Sequence, residues 1–65
     1  MYDNNVIKLF QAMEKEFEKC IPDTEKFVEG NNSAGTRVRK SMQIVKGLAQ
    51  DIRVEIQKQK NAVVA

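Results

Sequence analysis

The sequence predicts an all-α protein: an antiparallel helical hairpin, paired with a second copy into a four-helix bundle-like homodimer, or assembled into a higher oligomer. Three observations carry that expectation. Two long stretches place apolar residues at alternating spacings of four and three, the signature of a helical face. A Gly-Asn-Asn-Ser run at 30–33 separates them. The 65 residues make one domain, 1–65, too short to bury a self-sufficient core, and copies of the same chain can supply what is missing.

The first helix is expected from about residue 4 to residue 29. Asn4 and Asn5 are both suitable N-caps. Its core row is Val6, Phe10, Met13, Phe17, Cys20, Thr24 and Phe27, and Ile7, Leu9, Ile21 and Val28 widen the apolar face beyond a two-stranded seam. Pro22 is discordant, because it lacks an N–H and its ring clashes one turn back. Either the helix kinks there and continues, or it breaks and a short helix runs on through Glu29. The heptad does not slip across Pro22, which favours the kinked, continuous form.

Gly30 suits the left-handed position after a helix end, and Asn32 or Ser33 can cap the next helix. The turn is thus expected at 30–33, the second helix from about 34 to 60, and a frayed tail at 61–65. The core row of this helix is Val38, Met42, Val45, Ala49, Ile52, Ile56, Gln59 and Val63, with Ile44 and Leu48 on an adjacent strip. Helices of similar length joined by a short turn pack antiparallel. Two helices alone leave such wide faces wet, and pairing two hairpins covers them. The oligomer core is expected to draw on Phe10, Met13, Phe17, Phe27, Met42, Val45, Leu48, Ile52 and Ile56.

Composition restricts the chemistry. The chain has no histidine and no tryptophan, and Tyr2 sits at a terminus. Its one cysteine, Cys20, falls on a core row with no base to activate it. Glu14, Glu16 and Glu18 alternate along a helix, so they do not converge on a metal. No glycine-rich phosphate loop is present. The expectation is a non-enzymatic protein with no cofactor, no metal and no small-molecule substrate. The N-terminus lacks a basic region followed by an apolar run, and no apolar stretch approaches the roughly 20 residues of a membrane span. A cytoplasmic protein with no membrane partner is therefore expected.

Charge is unevenly divided. Residues 1–32 carry four lysines against seven acidic residues, a net −3, whereas residues 33–65 carry seven basic residues against two acidic ones, a net +5. Within the basic half, Arg39, Lys46, Arg53 and Lys60 recur every seven residues and form one stripe, and Arg37 and Lys40 thicken its N-terminal end. Successive members stand about 10.5 Å apart along the axis, about 31 Å in all. A linear cationic stripe of this kind fits a phosphate backbone. It fits equally a solvated helix face whose bases pair with carboxylates such as Glu14 and Glu16. No aromatic interleaves the bases, so stacking on single strands is not indicated. No side-chain set suggests base reading, so any binding is expected to go through the backbone.

The run Gly30-Asn31-Asn32-Ser33-Ala34-Gly35-Thr36-Arg37-Val38-Arg39-Lys40 resembles the turn and second-helix start of bacterial linker-histone-like nucleoid proteins, the chlamydial type and its relatives. Met42, Leu48, Ala49, Ile52 and Arg53 continue the likeness, while the first helix matches only in its acidic, amphipathic character. The resemblance implies a nucleoid-associated protein of the bacterial cytoplasm that binds duplex DNA, with its basic motif at Arg37, Arg39 and Lys40. Together with the stripe, the expected contact residues are Arg37, Arg39, Lys40, Lys46, Arg53 and Lys60. The competing expectation is a helical adaptor whose wide apolar faces serve protein–protein assembly alone.

Overall fold

The computed structural model describes residues 4–63, and within them the chain is two packed α-helices, α1 (Asn5–Val28) and α2 (Asn32–Val63). Val64 and Ala65, part of the expected frayed tail, lie outside the described residues.

Each helix end has an identifiable cause. Asn4 is extended and its Oδ1 accepts the Val6 N–H at 2.8 Å, which makes it the N-cap of α1. At the other end Gly30 takes φ 110°, a left-handed conformation that glycine adopts without Cβ strain. The Gly30 N–H donates to Phe27 O and the Asn31 N–H to Lys26 O, both at 2.9 Å, the paired bonds of a Schellman motif. The same Asn31 caps α2, its Oδ1 accepting the Ala34 N–H at 3.1 Å. One asparagine thus closes the first helix with its backbone and opens the second with its side chain. The cap therefore precedes Asn32 and Ser33, and α2 begins correspondingly early.

Through Pro22, α1 runs unbroken. Proline leaves the Glu18 carbonyl without its helical donor. Glu18 and Pro22 are both exposed, so the unpaired carbonyl lies on the solvent side of the helix rather than in the seam.

The helices run antiparallel. Near the open end the Asn4 and Gln59 amides bond reciprocally, each Nδ2 or Nε2 donating to the other's oxygen at 3.0 Å. Near the turn Arg37 meets Asp23. The seam between them differs from the expected core rows. On α1 the residues wholly or partly covered are Val6, Leu9, Met13, Glu16, Cys20 and Asp23; on α2 they are Ala34, Gly35, Val38, Ser41, Val45, Leu48, Ile52, Glu55 and Gln59. About half of each expected row is therefore kept and the rest is replaced by sequence neighbours. Phe10, Phe17, Thr24, Met42, Ala49 and Ile56 stay exposed beside the seam. Phe27 is half-exposed, but its ring lies over Gly35. The reason is size. Cys20, Ala34, Gly35 and Ser41 let the two backbones approach, and a row of phenylalanines would hold them apart. A stripe this wide offers more apolar surface than one partner helix can cover.

The packing of Phe27 on Gly35 reverses the usual sign of a substitution. Glycine to alanine within a helix normally stabilises by about 1 kcal/mol. At Gly35 an added Cβ would stand 2.5 Å from Phe27 Cδ1 and 2.8 Å from Cε1. Gly35→Ala is expected to lower thermal stability, while the same change in a Phe27→Ala background raises it; melts of the four variants check this. Gly47, with nothing near its Cβ position, is the control that gains stability.

Candidate nucleic-acid interface

The seam fixes where the charged side chains point. Arg39, Lys46, Arg53 and Lys60 each follow a seam residue, Val38, Val45, Ile52 and Gln59, by one position. They therefore share the outer edge of α2, and all four are exposed. Among the described residues, neither of the ion pairs, Arg37–Asp23 and Lys58–Glu55, engages any of them. Between Lys46 and Arg53 the edge dips into a shallow depression of about 570 Å³ lined also by Gln43, Gly47, Ala49 and Gln50. Two small residues there lower the floor, and two amides add donors beside the cations. Gln43 and Gln50 are missed by a reading of charge alone, although their spacing of seven matches that of the bases.

Arg37 and Lys40 lie elsewhere. Both line a cleft of about 220 Å³ with Glu16, Lys19, Asp23, Ser41 and Ile44, on one broad face of the hairpin. A second groove, holding Phe27, Gly35 and Arg39, opens on the opposite side. The Arg37 Nε donates to Asp23 Oδ1 at 3.0 Å, with a second guanidinium nitrogen also 3.0 Å from that oxygen. The sequence motif Arg37-Val38-Arg39-Lys40 is thereby divided: one cation joins the stripe and two face away from it.

Two carboxylates are held below their ordinary range. The Arg37 hydrogen bond is the main cause for Asp23, aided by the charges of Arg37 and Lys26 against a desolvation cost. For Glu55 the main cause is the Gln59 amide, with Asn5 and Lys58 assisting and desolvation again opposing. Both groups bind protons less readily in the folded chain, so their contribution is complete above the ordinary values of 3.8 and 4.5 and is lost as pH falls below those values through the lowered ones of the folded chain. The melting temperature is expected to drop on acidification from about pH 6 to about pH 3, less steeply in Arg37→Gln. A melt series across that range reads it.

Cys20 is buried in the seam, its thiol donating to Phe17 O at 3.4 Å. Among the described residues no group of acidic, cysteine or histidine side chains could hold a metal ion, and no helix is long and apolar enough to cross a membrane.

Among curated proteins and among solved structures, none matches the chain. A family model does: that of the histone H1-like protein Hc1 matches residues 7–62, taking in the turn and nearly all of both α1 and α2. With most of the sequence covered, including the turn and the basic edge of α2, the chain belongs to the histone H1-like protein Hc1 family.

Proposed function

We propose that this chain is a non-enzymatic, nucleoid-associated protein of the bacterial cytoplasm that binds duplex DNA through its phosphates, with little sequence preference, as a homodimer. The observation that carries the reading is the exposed edge formed by Arg39, Lys46, Arg53 and Lys60, free of ion pairs among the described residues. The histone H1-like family supports it. Four cations about 10.5 Å apart form a straight ridge, and its electrostatic attraction to phosphate is indifferent to base order. Lys40 and Arg37 stand outside this ridge, with Arg37 already committed to Asp23.

The homodimer reading rests on the hairpin's unfinished core. Among the described residues no large side chain is fully buried, while Phe10, Phe17, Ile21, Met42 and Ile56 stay exposed. A second copy covers such surface in a four-helix arrangement.

If a dimer neutralises about eight phosphates, the logarithm of the association constant falls against the logarithm of salt concentration with a slope of about −7. Fluorescence anisotropy on a labelled duplex measures it, and duplexes of unrelated sequence are expected to give one common line. A flat dependence, or strong preference for one duplex, removes the reading.

A further inference from the structure

We propose that the second copy docks with α1 against α1′ and α2 against α2′, so that the two basic edges merge into one composite polyanion site to which each copy contributes four cations. The inference rests on the homodimer reading above and adds its arrangement.

Phe10, Phe17 and Thr24 of α1 and Met42, Ala49 and Ile56 of α2 each lie beside the seam on the same side of it, opposite the cleft of Lys19, Arg37 and Ile44. Together these six uncharged residues form the centre of one broad face. The hairpin is a slab with extents of 54, 23 and 11 Å, so this face is larger than the ~800 Å² per partner that a stable interface buries. The occupant must also be apolar across its middle, and a copy of the same face meets that condition about a two-fold axis.

The rims decide which two-fold. Outside the central rows, α1 carries Ile7, Glu14, Ile21 and Val28, and α2 carries Arg39, Lys46, Arg53 and Lys60. Ile21 is 55% exposed and Val28 79%, far more than one packed hairpin leaves in a finished core. An axis parallel to the helices would lay α1 on α2′. Cations would then crowd against isoleucine and valine, with Glu14 the one carboxylate in that row. An axis crossing the helices lays α1 on α1′, apolar rim on apolar rim, and gathers all the cations along the opposite joint. Like charges there repel weakly across water, and salt screens the repulsion further. A bound polyanion reverses the sign of that cost. The dimer therefore tightens with added salt and with duplex DNA, and DNA finds a ridge twice as wide as one copy offers.

The test uses full-length chains carrying Cys20→Ser, with Cys20→Ala as a second background, and single cysteines at Lys46→Cys or Glu14→Cys. A short bismaleimide is added to each chain alone and to the equimolar mixture. The composite site predicts the Lys46→Cys self-product in about tenfold excess over the mixed product, because only neighbouring thiols share a high effective concentration. Arg39→Cys and Arg53→Cys serve as further probes, so that an offset of the axis along the helices still leaves one position in reach. Sedimentation is expected to show the dimer dissociation constant falling roughly threefold to tenfold as salt rises from about 0.05 to 0.3 M. Dominance of the mixed 14–46′ product overturns the arrangement while leaving both dimer and DNA binding intact. A chain that stays monomeric yet retards duplex DNA overturns the arrangement and the homodimer but not the DNA interface. Loss of DNA binding in the unmodified chain instead strikes the proposed function itself.

Discussion

Replacing Arg39, Lys46, Arg53 and Lys60 together by glutamine lowers affinity for duplex DNA by about 10⁵-fold at 0.15 M salt, because the dimer loses eight cations and each phosphate left without its cation keeps close to one counterion bound, a factor of about five at that concentration. The effect exceeds that of any single replacement and is shared by every duplex sequence. The salt slope shrinks in the same variant, since the slope measures how many phosphates are neutralised. Stability is expected to stay level or rise, as the four side chains are exposed and none has an ion pair among the described residues to lose. Arg37→Gln is the counterpoint. Its guanidinium is held by Asp23 on another face, so DNA affinity changes little while the acid sensitivity of the melt declines. Anisotropy titrations at three salt concentrations separate these outcomes. Equal weakening by Arg37→Gln and by the fourfold variant would place the phosphates on the cleft of Asp23 instead.

Much of this arrangement is written in the chain. The heptads give two helices, Gly30 gives the turn, and the spacing of seven gives the stripe. Three things are not legible there. The Arg37-Val38-Arg39-Lys40 run reads as one basic motif, but successive helical residues turn by about 100°, so neighbours in sequence diverge in space. Which side of α2 faces α1 decides which cation joins the stripe. That choice is itself hidden, because a wide apolar face admits more than one seam. Periodicity locates the apolar stripe but not the half of it that closes within the hairpin. The small residues Ala34, Gly35 and Ser41 hold that information, and an apolar count ranks them below Phe10 and Phe17. The Asn31 cap is obscured by its neighbours Asn32 and Ser33, which are equally good cap formers and differ only in register.

Ile52 and Ile56 look interchangeable in the heptad, and their replacement by aspartate is expected to separate folding from assembly. Ile52 is 6% exposed inside the seam, whereas Ile56 is 41% exposed on the open face. Ile52→Asp removes a buried aliphatic group worth about 2–3 kcal/mol and leaves a carboxylate to be desolvated without a partner. Both penalties act on a hairpin whose net stability is of the order of a few kcal/mol at this length, so the chain is expected to lose its helical circular dichroism at room temperature. Ile56→Asp leaves the seam intact, since an exposed carboxylate keeps its water. Its cost falls on the second copy: two charges, one from each chain, enter the paired face and must be desolvated there. The variant is expected to keep most of its helicity but to sediment as a monomer, with a melting temperature that no longer rises with concentration. It also halves the cations that one bound particle presents, so its DNA salt slope falls to about half. If Ile56→Asp unfolds the chain as completely as Ile52→Asp does, the exposed row belongs to the hairpin's own core. If it leaves self-association untouched, that row is not where copies meet.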